Sequence, residues 1–274
     1  MSRRRTRSGP LSAGEATGDG EEELEGWDSL EEYLASEAAR TSGAGQSPAP
    51  TADLRGPKAA STRHYFSRAE SQPAETFTFP LRFGDRTIDW VSAHGVFSKQ
   101  QLDFGSRLLL EVAEIPATGR LLDLGCGTGA LGLLALASRV ESGGSGEDRL
   151  WACLSDISDH ALACASANRE RLGLTGSAGI VQGEFLAPFR SGVFGTVLFN
   201  PPIRAGKAPI LETLTRMRRV LEPDGTLWVV ARVQQGAKSL LAHLENVFEG
   251  AAQVRARRKG YLILRAGGRK ADGI

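Results

Sequence analysis

The sequence predicts an α/β fold: a seven-stranded, mostly parallel sheet with helices on both faces and a C-terminal antiparallel hairpin. Three observations predict it. From residue 120 onward, short apolar runs alternate with longer stretches of helical period, the pattern of strand–helix–strand units. The first apolar run, Leu121-Leu122-Asp123-Leu124, stops at Gly125, Gly127 and Gly129, which is the composition of a tight strand-to-helix turn. The last two apolar runs are joined only through Lys259-Gly260. They have no room for a helix, so they pair as a hairpin and place one antiparallel strand in the sheet.

The elements follow in order. The first 60 residues carry 11 acidic and 7 basic side chains, many Gly, Ser, Ala and Pro, and few large apolar residues. Such a segment buries too little surface to offset its ordering entropy, so 1–60 is expected to be a disordered tail and linker. Within it, 27–34 has helical spacing, and 41–57 has linker composition. The folded part is expected over 61–274, with a lead-in at 61–115 and the core at 116–274. Alternation at 76–81 and 87–91 predicts a hairpin across Gly84-Asp85, and 101–112 predicts a helix with Leu102, Leu108, Leu109 and Val112 inward. Core strands are expected at 120–125, 150–156, 179–183, 195–199 and 226–232, and helices at 130–138, 158–172, 209–221 and 237–248. The closing strands fall at 252–257 and 261–265. The Gly- and Ser-rich stretch 139–149 reads as a long loop.

Composition excludes several classes. Three cysteines, Cys126, Cys153 and Cys164, form no CxxC pair and no disulfide framework. Neither they nor the four histidines show metal-ligand spacing, so no metal is expected. No apolar run reaches the ~18 residues of a membrane span. Arg3, Arg4, Arg5 and Arg7 lack a following apolar stretch, so they do not read as a secretory signal. A reduced, cytoplasmic setting fits. The net charge is +1, yet from Asn200 onward 14 basic residues face 6 acidic ones. A basic C-terminal third suits a polyanion such as RNA, and a solvated charged surface explains it equally well.

The glycine turn builds a concave floor for a nucleoside-bearing small molecule at the carboxyl end of a strand. Gly125, Gly127 and Ala130 also satisfy the dinucleotide fingerprint. Asp123 argues against a dinucleotide, because a carboxylate there disfavours a pyrophosphate and favours a cationic centre. A second motif, Asn200-Pro201-Pro202, ends the fourth core strand. Two prolines fix an extended loop. Such a loop aims the Asn200 side-chain carbonyl and the Pro201 backbone carbonyl at one point. Two convergent acceptors suit the two hydrogens of an exocyclic amine.

Asp123-Leu124-Gly125-Cys126-Gly127-Thr128-Gly129 followed by Asn200-Pro201-Pro202 resembles the class I S-adenosylmethionine-dependent methyltransferases, whose sheet is Rossmann-like. The resemblance implies S-adenosylmethionine as cofactor. It implies that Gly125, Cys126, Gly127 and Gly129 line the methionine and ribose, that Asp123 faces the methionine amino group, and that Asp156 receives the ribose hydroxyls. A helix N-cap role for Asp156 is the competing reading. Glu184 falls where the family usually has Asp beside the adenine. Asn200, Pro201 and Pro202 would form the catalytic loop, with Asn200 also near the cofactor. In many relatives the next residue is an aromatic that stacks on the target base; here it is Ile203, and Phe97 is the expected substitute.

Further stretches narrow the resemblance. Gly95-Val96-Phe97-Ser98, Asp103-Phe104-Gly105-Ser106-Arg107, Ile203-Arg204-Ala205-Gly206-Lys207 and Lys259-Gly260-Tyr261 are similar to segments of the small-domain group that includes ribosomal RNA small-subunit guanine-N2 methyltransferases. His64-Tyr65-Phe66-Ser67 belongs to the same set. This implies transfer of a methyl group to an exocyclic amine, guanine N2 of ribosomal RNA, with RNA as partner and Arg204 and Lys207 as phosphate contacts. Asp103 serves either the site's rim or a helix cap. Arg255, Arg257 and Arg258 read as surface charge. The alternatives are another amine (a protein glutamine, another RNA base or a metabolite) and a non-catalytic RNA-binding assembly factor.

Overall fold

The computed structural model describes residues 75–94, 96, 101–141, 149–202 and 206–268. The expectations for the tail 1–60, for His64 to Ser67, for Gly95, Phe97 and Ser98, and for the middle of the 139–149 loop lie outside the described residues.

A hairpin opens the structure, β1 (Thr76–Phe83) with β2 (Arg86–Ala93), turning at Gly84-Asp85 as the alternation predicts. Then come α1 (Phe104–Val112), β3 (Gly119–Leu124), α2 (Ala130–Glu141), β4 (Leu150–Asp156), α3 (Asp159–Arg171), β5 (Ala178–Gln182), β6 (Phe194–Phe199), α4 (Lys207–Val220), β7 (Leu221–Arg232), α5 (Ala237–Val247), β8 (Ala252–Arg258) and β9 (Tyr261–Gly267). β3 to β9 form one seven-stranded sheet in the order β5-β4-β3-β6-β7-β9-β8. β9 runs antiparallel to both neighbours and the remaining pairings are parallel. The predicted fold class is therefore the observed one.

Period-two alternation explains the layers. Leu121, Leu154, Leu198, Trp228 and Val230 bury one face of the sheet against α1, α2 and α3. Leu122, Cys153, Val197, Phe199 and Val229 bury the other against α4 and α5. Both faces are covered, so the parallel strands read as continuous apolar runs.

Most element ends differ from the sequence expectation by one to three residues and one by five; two of them show why. The first helix begins at Phe104 because Asp103 is its N-cap, its carboxylate accepting from the Ser106 N–H at 3.0 Å. β7 begins at Leu221, five residues early, because Leu221 pairs with Phe194 ahead of a register shift.

Strand order reverses between β3 and β6, where Leu124 pairs with Phe199. In open α/β sheets, ligands bind outside the carboxyl ends of strands at such a point. Gly125 and Asn200 follow those two residues directly. Strand pairing thus closes the sequence gap between the two motifs.

The hairpin is tied to the same place. Asn168 on α3 accepts from the Val91 N–H at 2.7 Å and donates to the carbonyls of Val91 at 2.9 Å and Thr128 at 3.1 Å. The Trp90 indole N–H donates to the Thr128 hydroxyl at 2.9 Å. Thr128 lies inside the glycine turn, so hairpin, α3 and turn hold one another.

Candidate active site

Gly125, Gly127 and Gly129 all have positive φ, at 66°, 54° and 84°, which other L-residues reach at a steric cost of roughly 1–2 kcal/mol. They differ in surroundings. A Cβ on Gly125 or Gly127 would meet no atom within 4 Å, whereas one on Gly129 would lie 2.9 Å from Leu133 Cδ1. The first two glycines face open space. The third permits close packing of α2 on the sheet.

Asp123 lies behind this floor. It is 1% exposed, and its carboxylate accepts from the Gly132 N–H at 2.7 Å. A Cβ on Gly132 would lie 2.9 Å from the Asp123 Cβ and 2.5 Å from Leu154 Cδ2, so glycine alone lets the helix approach. Burial pushes the Asp123 carboxyl from 3.8 up to about 7; the Gly132 hydrogen bond opposes this and the Asp156 charge adds to it. A cationic group brought beside Asp123 favours its ionised form.

Cys126 points its thiol into the core, where burial pushes it well above its usual range. It shapes the turn through its backbone, whose N–H donates to the Ser155 carbonyl at 2.9 Å. Asp156 ends β4 and accepts from the Gly127 N–H and the Ser158 N–H, each at 2.9 Å. Burial raises its pKa, and these bonds counter that. The cap of α3 is Ser158, whose hydroxyl accepts from the Ala161 N–H. The capping alternative for Asp156 is thereby overturned.

A hollow opens beside the turn, lined by Leu124, Gly125, Ser155, Asp156, Ile157, Gly183, Glu184, Phe185, Phe199 and Pro202. Glu184 stands exposed on its wall. Phe185 holds a positive φ of 45° there. The Ser155 hydroxyl is buried with no hydrogen-bond partner among the described residues. Such an orphaned group carries a desolvation cost of ~1–3 kcal/mol until a ligand satisfies it. Open space over two glycines, carboxylates at two strand ends and an orphaned hydroxyl fit a polar nucleoside.

Asn200 directly follows Phe199, which lines the hollow and pairs with Leu124. Its side-chain NH₂ donates to the Ser106 hydroxyl at 2.9 Å and to the Asp103 carboxylate at 3.4 Å. A carboxylate only accepts, so it fixes which end of the amide faces it. The Asn200 carbonyl oxygen is then turned away from α1. Asp103 caps α1 with one oxygen and faces Asn200 with the other, so the helix-cap reading holds. Pro201 is buried, and Pro202 borders the hollow. Lys207 is exposed at the first residue of α4. Phe97, Ile203 and Arg204 lie outside the described residues.

The pattern of the family described as methyltransferase small domain matches residues 87–265. The chain belongs to that family.

The chain is also similar to several individual proteins. A Bacillus subtilis protein, uncharacterized protein YbxB, is 35% identical over 207 residues, spanning 75% of this chain and 98% of that protein. Ribosomal RNA small subunit methyltransferase C of Klebsiella pneumoniae is 36% identical over 174 residues, covering 61% of this chain and 47% of that one. The chain spans about half the length of the ribosomal RNA methyltransferases it matches. Among solved structures, the T. thermophilus 16S rRNA N2 G1207 methyltransferase superposes with a TM-score of 0.51 at 20% identity, covering 71% of this chain and 45% of that chain. That likeness establishes the shared fold.

Sequence reasoning missed Ser106, Ser155, Gly132 and Asn168. Ser106 carried a local signal, since it follows Asp103 at capping spacing. The other three become visible only when the sheet is assembled. Arg255 and Arg258 pair with Glu114 at 2.8 Å and Glu111 at 3.0 Å, in keeping with surface charge. Among the described residues no cluster of His, Cys, Asp or Glu is placed to hold a metal ion. None of the described helices is long and apolar enough to cross a membrane.

Proposed function

We propose that this chain is an S-adenosylmethionine-dependent N-methyltransferase acting on guanine N2 of ribosomal RNA. The observation that carries the reading is the amide of Asn200, held by Asp103 and Ser106 so that its carbonyl oxygen faces away from α1 beside the glycine turn. Support also comes from relatives named as ribosomal RNA methyltransferases and from the basic C-terminal third.

The residues divide the work. Gly125, Cys126, Gly127 and Gly129 form the floor on which the donor lies. Asp123 compensates its amino group, and Asp156, Glu184 and the orphaned Ser155 hydroxyl take its nucleoside. S-adenosylmethionine supplies a methyl group on a sulfonium, already activated for transfer. Asn200 through its side-chain oxygen and Pro201 through its backbone carbonyl accept the two N–H hydrogens of the substrate amine. An aromatic amine is a poor nucleophile, because its lone pair is delocalised into the ring. Gripping both hydrogens favours a tetrahedral nitrogen and stabilises positive charge as it develops there. Alignment of this kind contributes on the order of 7–11 kcal/mol. The proton leaves the nitrogen to solvent afterward, so no dedicated base is needed. The target guanine must leave its stack to reach the loop, at a cost of a few kcal/mol.

The folded unit in this reading spans 61–274, and its lead-in, 61–115, supplies Asp103 and Ser106. The substrate places the reaction in the cytoplasm. Mapping methylated guanines in ribosomal RNA from cells with and without the gene tests the reading. One N2-methylguanine should vanish without the gene and return on complementation; an unchanged map contradicts it.

A further inference from the structure

Beside the Asn200 loop runs a row of cations seated on aromatic rings. The Lys259 ammonium lies 5.3 Å from the centroid of the Phe104 ring, and the Arg232 guanidinium 4.8 Å from that of Tyr261. The two rings are themselves 5.6 Å apart. Phe104 falls between Asp103 and Ser106, the two residues that hold Asn200. Arg232 ends β7, the strand next to β6, and pairs with Tyr261. The row therefore extends from the reaction centre along the edge of the sheet where the parallel strands end.

We infer that Lys259 and Arg232 form a binding site for backbone phosphates of single-stranded RNA flanking the target nucleotide, with Phe104 and Tyr261 as their fixed supports. This rests on the RNA reading above. Three observations carry it.

The first is the state of the charges. Arg255 and Arg258 on the neighbouring strand are paired with the carboxylates of Glu114 and Glu111. Lys259 and Arg232 are exposed, and neither meets a carboxylate among the described residues. An aromatic face orients a cation without cancelling its charge. Ammonium and guanidinium thus keep donors for phosphate oxygens.

The second is backbone conformation. Lys259-Gly260 is a two-residue hairpin turn with φ of 48° and 71°. Such turns favour Asn-Gly, because both positions need positive φ. A lysine carries a steric cost there that asparagine avoids, so the position holds a cation against local preference.

The third is rigidity. A Cβ on Gly105 would come within 2.9 Å of the Tyr261 ring and 2.7 Å of Val230 Cγ1. The ring is packed against the backbone of α1 and cannot drift from the site.

The test measures binding of the full chain to a short single-stranded RNA across a series of salt concentrations, alongside methyl incorporation into ribosomal RNA. Each of Lys259→Asn and Arg232→Gln should weaken binding roughly three- to tenfold and make the slope of log K against log salt shallower by about 0.7. Lys259→Asn suits its turn better than lysine, so misfolding cannot account for its loss. Arg255→Gln, which removes a neutralised charge, should leave the slope unchanged. Unchanged slopes in both Lys259→Asn and Arg232→Gln overturn the phosphate site, whether or not the protein methylates RNA. Shallower slopes without any methyl transfer uphold the phosphate site and overturn the enzymatic reading instead.

Discussion

Ser106 and Asn200, 94 residues apart in sequence, meet at 2.9 Å, the hydroxyl of one accepting from the amide of the other. Asp103 completes the hold. A helix cap thereby doubles as the fixture for the residue proposed to grip the substrate amine.

Asp103→Asn separates these two roles. Asparagine caps a helix as well as aspartate, so the melting temperature should change little. Its amide presents both a donor and an acceptor to Asn200, so the orientation of that side chain is no longer fixed. Single-turnover methyl transfer should fall roughly ten- to a hundredfold, with calorimetric affinity for S-adenosylhomocysteine unchanged. A full rate would mean that Asn200 needs no fixture.

Asp123 predicts a pH effect. Burial raises its pKa from 3.8 to about 7. Between those values the folded state holds a proton that the unfolded chain has released, so this group's stabilising contribution is present below about pH 4 and is lost as pH rises toward about 7. Asp123→Asn carries no charge and keeps an acceptor for Gly132. It should melt above the parent protein at about pH 8, and the gap should close near pH 4. Thermal melts at both values check this; a gap independent of pH contradicts it.

Two glycines should lose stability for different reasons, and only one of them should lose cofactor affinity. Gly132→Ala forces a methyl group against Leu154 and Asp123 and should cost about 1–3 kcal/mol of stability in urea unfolding. Gly125→Ala meets nothing and should cost about 1–2 kcal/mol through its positive φ. Its new methyl group stands on the floor of the site, so cofactor affinity should fall at least tenfold. Equal affinities for the parent and Gly125→Ala would remove the cofactor from this turn.

Asn168→Ala deletes three buried hydrogen bonds that join the β1–β2 hairpin to the glycine turn. Leaving their partners unsatisfied should cost ~1–3 kcal/mol for each group that water cannot reach. Hydrogen exchange should show the Val91 amide losing protection first. Protection unchanged at Val91 would show that the hairpin is held by packing alone.

The sequence is informative wherever structure is local. Gly125, Gly127 and Gly129 marked the turn, because glycine reaches those angles without the steric cost other residues carry. The lack of a helix between β8 and β9 foretold the antiparallel strand. Asn200-Pro201-Pro202 stood out, since prolines after an apolar run must end it. Ser155 was not legible, because its solitude depends on what β3 and β5 place around it. Asn168 looked like any polar residue on a helix, and its three partners come from two other segments. Arg232 read only as part of a basic tally, and Lys259 as a turn residue of the last hairpin, until the rings beneath them were located.

The central claim is that the Asn200 side-chain oxygen grips the amine that receives the methyl group. Single-turnover transfer by Asn200→Ala, measured beside its affinity for S-adenosylhomocysteine, tests that most directly. Transfer should drop at least a hundredfold, as when a preorganised hydrogen-bonding partner is removed from a reaction centre, with cofactor affinity within about threefold of the parent. Transfer at the parental rate with cofactor bound would contradict the claim.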